Sequence, residues 1–210
     1  MATMGTAAAL FATLLTDGPQ SRDDLAGRLG ITAAAVTRAA GPLLDAGYLT
    51  ASARPAARLA VRSGREFFVG VAVTPDEMVG AVCDLAARVH LVERRALRGI
   101  QVGEVLDDLD AIIATMLSRG GYRSRTRRLG LAVPGETSAD GWVVRAPLLR
   151  WQDVPLLERA GQRTGLTVTV ANDADALAAA ERWFGEGPPA YAPARAAAAV
   201  SVQQRVLSLA

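Results

Sequence analysis

The 210-residue sequence predicts an α/β protein in two parts, and three observations carry that prediction. Two short segments with helical apolar spacing flank Gly30-Ile31-Thr32 and lead into strand-like sequence after Gly47. A continuous apolar run from Phe67 to Val73 then opens a series of short strand patterns. Beyond Val102, helical and strand patterns alternate, as they do in α/β domains. The boundary falls near Glu66, which divides the chain into domains of residues 1–65 and 66–210.

In the first part, Ser21 can cap a helix, with Asp24 three residues on favouring its positive end, and Leu25 and Leu29 form one apolar stripe. Gly30 to Thr32 make a turn, and Thr32 can cap a second helix in which Val36, Ala40, Leu43 and Leu44 face inward. Thr32, Ala33, Ala34, Thr37 and Arg38 are left facing outward at its start. Small residues there let a helix lie deep in a major groove, where Thr37 and Arg38 can reach base edges. Gly41-Pro42 is a local misfit, because a helix-interior proline removes a hydrogen bond. Either the helix kinks there, or it ends near Ala40 and Pro42 begins a new turn.

Tyr48 to Ser52 then reads as a strand, Ala53 to Ala57 as a tip and Arg58 to Arg62 as a return strand, completing a winged helix-turn-helix. Arg54 at the tip and Arg58 just behind it, with no acidic residue between, suit phosphates or a narrow minor groove. Two packed helices with a solvated hairpin would share much of this pattern. The wing tilts the reading towards double-stranded DNA as the partner.

Composition sets further bounds. The net charge of +2 is too small for indiscriminate nucleic-acid binding, so DNA affinity has to come from local patches. Cys83 is the sole cysteine, which excludes a disulfide framework or a cysteine zinc site within one chain; no metal is expected. Cys83 reads as a buried thiol and the lone His90 as a strand-edge residue. No stretch approaches 18 uninterrupted apolar residues, and Met1 to Leu15 lacks the charged start of a signal peptide. The expectation is a cytoplasmic protein without membrane contact.

In the second part, Phe67 to Val73, Val79 to Asp84 and Val89 to Glu93 suggest an antiparallel meander. Val102 to Leu117 has helical spacing (Val105, Leu109, Ile112, Ile113, Met116) with its acidic residues on the other side. Strands follow at Arg128 to Val133, Trp142 to Ala146 and Leu166 to Val170, with helices at Pro155 to Thr164 and Asp173 to Phe184. Gly185 to Ala199 reads as a loose connection into a last strand, Ala198 to Leu207. Arginines 119, 123, 125, 127 and 128 crowd one loop; such a loop could touch DNA, but the favoured expectation is that they complement the negative end of the preceding helix.

Three segments occur here in order: Leu129-Gly-Leu-Ala-Val-Pro-Gly135, Arg145-Ala-Pro-Leu-Leu-Arg-Trp-Gln-Asp-Val-Pro-Leu156 and Val170-Ala-Asn-Asp-Ala-Asp-Ala176. Together they resemble the ordered motifs of the repressor/open-reading-frame/kinase (ROK) family. That resemblance implies an actin-like (ribonuclease H-like, sugar-kinase type) domain, and the N-terminal winged helix fits the family's repressors. In the family's kinases the aspartate matching Asp173 is the general base. Gly135, Asn172 and Asp173 are the candidate contacts to a sugar-like effector. Asn172 and Asp173 also suit plain capping of the helix that follows.

The sequence departs from the family pattern at decisive places. The first hairpin, where the kinases cradle ATP, reads Val71-Ala-Val-Thr-Pro-Asp-Glu-Met78; it has no glycine pair, Pro75 lacks an amide, and two carboxylates repel phosphate. The second phosphate loop maps onto Ser201 to Arg205, which also lacks glycine. No nucleotide cofactor and no catalytic residue are therefore expected. On the sugar side, Leu148 replaces an asparagine and Ala171 an acidic residue. The sequence ends at Ala210, about halfway through a family-length chain, and a single lobe would expose apolar surface unless it pairs into a homodimer. A transcriptional regulator, a repressor without enzymatic activity, is the expected function. An ATP-dependent sugar kinase and a truncated DNA binder without effector are the alternatives.

Overall fold

The computed structural model describes residues 5–52, 57–185 and 192–208. The chain divides into two compact units: Glu66–Val202 forms one, and the residues up to Arg65 join those from Gln203 onward in the other.

The first unit contains α1 (Thr6–Asp17), β1 (Gln20–Ser21), α2 (Arg22–Leu29), α3 (Ala33–Asp45), β2 (Leu49–Ala51) and β3 (Arg58–Val61). The strands form a small antiparallel sheet in the order β1-β3-β2. Leu10 and Phe11 of α1, Leu25 of α2, Val36 and Ala40 of α3 and Leu59 of β3 are all fully buried. The sequence reading assigned no helix to residues 6–17 and no strand to Gln20–Ser21. Apolar residues populate most of α1, so no clean stripe marks it out. The second alternative at Pro42 is overturned: α3 runs unbroken to Asp45, and the Pro42 carbonyl accepts from the Ala46 amide at 3.0 Å.

The second unit is built on β4 (Phe67–Val73), β5 (Glu77–Asp84), β6 (Val89–Ala96), β7 (Thr126–Val133) and β11 (Thr167–Asn172). Their order is β11-β7-β4-β5-β6, with β4, β7 and β11 parallel and β5 and β6 antiparallel. Burial on both faces explains why β4 reads as an unbroken apolar run. A second small sheet joins β8 (Glu136–Thr137), β9 (Val143–Ala146) and β10 (Trp151–Val154). The helices are α4 (Val102–Ser118), α5 (Leu156–Thr164), α6 (Asp173–Phe184) and α7 (Ala192–Leu207), the last belonging to this unit only as far as Val202.

Strand alternation assigns the two faces of the large sheet. Val69, Val71 and Val73 share a core cluster with Val105, Leu109, Ile112 and Met116 of α4. Gly70 and Gly130, register partners on β4 and β7, point the other way. A Cβ on Gly70 would lie 2.0 Å from the Ala194 carbonyl oxygen of α7, and one on Gly130 would lie 1.7 Å from that of Ala197. The α7 backbone thus lies directly on the two glycines.

This corrects two expectations: Ala198 to Leu207 is not a strand, and residues 192–199 are not a loose connection. Val200 and Val202 imitate a strand's alternation, but the alanines before them have the highest helix propensity of any residue. Arg195, 8% exposed, fastens α7. Its guanidinium donates to the carbonyls of Ala87 (3.0 Å), Gly185 (3.1 Å) and Phe184 (3.3 Å), the last two at the negative end of α6.

A third correction concerns α4. Asp108 is not on the solvent side with the other acidic residues but fully buried. It accepts from Arg95 Nε and Arg98 Nε at 2.9 Å each and from the Arg98 amide at 3.1 Å. Arg95, near the end of β6, and Arg98, in the loop after it, are thereby brought to the first half of α4.

Candidate functional site

The local rules of the first unit produce one exposed helix face. Ser21 caps α2 in a reciprocal box: its Oγ accepts from the Asp24 amide at 3.1 Å, and Asp24 Oδ2 accepts from the Ser21 amide at 3.4 Å. The Ser21 hydroxyl and amide hold the Asp24 carboxyl below its ordinary value. Gly30 closes α2 at φ 66°, a left-handed conformation that favours glycine, and Thr32 Oγ1 accepts from the Ala35 amide at 3.2 Å to start α3. Val36, Ala40 and Leu43 then turn inward, leaving Thr32, Ala33, Ala34, Thr37 and Arg38 exposed together. Thr37 Oγ1 donates back to the Ala33 carbonyl at 3.0 Å, so it offers outward its methyl group and acceptor lone pairs.

Arg58 is exposed but partly engaged. Its Nη1 donates to the Pro19 carbonyl at 3.3 Å, and its charge also acts on Asp24. Arg54 lies outside the described residues. At the root of the β2–β3 hairpin, Tyr48 makes an edge contact with Phe11 and has the guanidiniums of Arg65 and Arg205 over its ring at 5.4 and 5.2 Å. No sequence pattern announced that cluster, because its members are far apart along the chain.

In the second unit, β7 and β11 bring Gly135, Asn172 and Asp173 together at their carboxyl ends, the edge where open α/β sheets bind ligands. Asn172 Nδ2 donates to the Gly135 carbonyl at 2.5 Å, while its Oδ1 accepts from the amides of Ala174 (2.8 Å) and Asp175 (3.4 Å). Asp173 Oδ1 accepts from the Ala174 amide at 2.9 Å, and among the described residues its Oδ2 has no partner. The half-buried carboxylate can therefore accept a hydroxyl from a ligand. Gly135 is required by the protein itself: a Cβ there would fall 2.5 Å from the Arg145 carbonyl oxygen of β9.

The hairpin between β4 and β5 has little to offer a phosphate. The Thr74 amide donates to the Glu77 carbonyl at 2.9 Å, the Glu77 amide donates to Thr74 Oγ1 at 3.1 Å, and Pro75 has no amide. Ser201 to Arg205 lie inside α7 and form no loop. A separate cavity of about 220 Å³ lies between Ile100 and Val102 on one side and Leu149 to Trp151 on the other, and none of the predicted contact residues lines it. Among the described residues no cluster of three His, Cys, Asp or Glu could hold a metal, and no helix is long and apolar enough to cross a membrane. Burial pushes the Cys83 thiol up to about 12, so it is not a nucleophile at neutral pH.

Fold and site together define an α/β protein with polar residues gathered at the carboxyl ends of its parallel strands. The chain belongs to the ROK family, whose profile matches residues 68–190. Over 58 residues it is 47% identical to a putative xylose repressor of Caldicellulosiruptor sp. strain Rt8B.4, covering 27% of this chain and 14% of that protein. Over 194 residues it is 28% identical to a transcriptional regulator of Mycobacterium bovis, covering 85% and 43% of the two chains. Among solved structures, it matches a ROK family transcriptional regulator described as a homologue of the E. coli MLC protein. That match has a TM-score of 0.71 at 25% identity and covers 84% of this chain and 48% of that one. The chain thus spans less than half the length of these relatives.

Proposed function

We propose that the chain is a DNA-binding transcriptional repressor that works in the cytoplasm and is not an enzyme. In this reading residues 1–65 are a winged helix-turn-helix. The residues from Glu66 onward are an actin-like domain that binds a sugar-like effector and pairs two copies. The observation that carries it is the exposed face of α3, where Ala33, Ala34, Thr37 and Arg38 stand together over a buried Val36 and Ala40. The small side chains permit groove entry, and Arg38, whose guanidinium has no partner among the described residues, can read a base edge. Arg54 and Arg58 would contact phosphates beside it. The names of the relatives, a xylose repressor and a transcriptional regulator, support the same reading.

Gly135, Asn172 and Asp173 are the proposed effector site. An effector that favours one arrangement of the paired chains would weaken DNA binding, and DNA would weaken effector binding by the same factor. The spent amides of the β4–β5 hairpin argue against ATP-driven phosphoryl transfer. Selection of bound duplexes from a random pool tests the reading, followed by challenge of the complex with a panel of sugars. It predicts recovery of a two-fold symmetric site and release by one class of sugar. Failure to enrich any sequence, or phosphorylation of a sugar by ATP, overturns it.

A further inference from the structure

We propose that Arg205, in the last turn of α7, is a positioning residue for the β2–β3 hairpin and acts through Tyr48. The proposal rests on the DNA-binding reading, in which that hairpin is the wing, and goes beyond it. It adds the end of α7, far outside residues 1–65, to the parts that hold the wing in place. From Gln203 onward α7 belongs to the first unit, and Val206 in its last turn is fully buried. Beside it the half-buried Arg205 is held from both sides. Its Nη1 donates to Ser208 Oγ at 3.3 Å, and that hydroxyl donates in turn to the Arg205 carbonyl at 2.7 Å. Its Nη2 donates to the Tyr48 hydroxyl, and the guanidinium lies over the Tyr48 ring, 5.2 Å from the centroid.

Tyr48 is where the hairpin is attached. It is buried, and β2 begins at the next residue. Its amide donates to the Leu43 carbonyl of α3 at 2.8 Å, and its carbonyl accepts from the Arg62 amide at 2.9 Å, which closes the root of β2 and β3. Its ring stands edge-on to Phe11 of α1, with centroids 6.1 Å apart. Helix, helix and hairpin thus meet at one aromatic side chain. Arg65 shares the ring but spends its Nε on the Ala46 carbonyl at 3.0 Å, whereas Arg205 bonds the hydroxyl. A shift of the ring carries the root of the hairpin with it. The reading end of α3 is fixed separately, by the Thr32 cap and the buried Val36. Arg205 therefore bears on the wing and not on the outward residues of α3.

Double-mutant cycles in the 210-residue chain, read by fluorescence anisotropy on a duplex recovered by selection, test this. Arg205→Ala, its fold checked by circular dichroism, is expected to bind about tenfold more weakly, and Arg205→Lys to stay within about threefold of the parent. Tyr48→Phe keeps the ring, loses the hydroxyl, and is expected to bind about threefold more weakly. A residue that places the wing loses its effect once the wing's own contact is gone. Arg205→Ala is therefore expected to weaken an Arg54→Ala chain by less than about twofold, yet a Thr37→Ala/Arg38→Ala chain by about tenfold. An effect of Arg205→Ala undiminished in the Arg54→Ala chain marks Arg205 as a separate phosphate contact and overturns the proposal. Parent-like binding by Arg205→Ala, or by Tyr48→Phe, overturns it as well, while the DNA-binding reading stands. If the parent chain binds no duplex, that reading falls and the proposal with it.

Discussion

Asn172 does two jobs with one amide group: it caps α6 and ties that cap to the turn after β7 through the Gly135 carbonyl. The cap was legible because an Asn-Asp pair between strand and helix patterns has few other uses. The tie to Gly135 was not, because it joins the turn after β7 to the end of β11, 37 residues further along the chain. Asp108 was misread for a related reason, since its partners arrive from β6 and the loop after it and leave no mark at helical spacing. Burial alone would raise the Asp108 carboxyl, but the Arg98 amide and the Arg95 and Arg98 side chains outweigh it and hold it below its ordinary 3.8. A depressed folded-state value contributes stability that is present above 3.8 and is lost as pH falls through the lower folded value. Asp108→Asn is therefore expected to cost about 2 kcal/mol at neutral pH. In paired thermal melts its deficit should shrink on acidification to about pH 3, and an unchanged deficit there would show that the charge is not what matters.

Among the elements, the strands of the large sheet lie close to where the sequence placed them, β8 and β10 went unread because neither is an apolar run, and β4 and α6 have the bounds read from the sequence. The large error was α7, where two valines at alternate positions outweighed a run of alanines. Its seat on the sheet yields a sharp contrast between two glycines. Gly130→Ala is expected to cost about 3 kcal/mol or more in urea unfolding, because its new methyl group must displace the backbone of α7. Gly103→Ala, in the first turns of α4 with nothing within 4 Å, is expected to gain up to about 1 kcal/mol through helix propensity. Equal effects at the two positions would mean that α7 does not lie on β7. Neither α1 nor β1 offered a comparable signal, the one for want of a polar face and the other for being two residues long.

In the whole molecule, the order of motifs made the family legible, and the same motifs pointed to the cluster at Gly135, Asn172 and Asp173. The lack of a glycine pair and the presence of Pro75 in the β4–β5 hairpin are read from the sequence alone; the structure adds that the Thr74 and Glu77 amides bond within the turn. That Leu149 is buried and Leu148 exposed needed the structure, because only packing tells the two leucines apart. In the proposed function α3 reads DNA sequence on behalf of an ATP-independent ROK domain. Fluorescence anisotropy tests it most directly, with a duplex recovered by selection, its scrambled counterpart, and the Thr37→Ala/Arg38→Ala double variant, over a range of salt concentrations. The prediction is salt-sensitive binding to both duplexes, a preference for the selected one, and a loss of at least about tenfold in that preference alone when the two α3 residues are removed. Equal affinity for both duplexes, or a preference untouched by the double substitution, would contradict it.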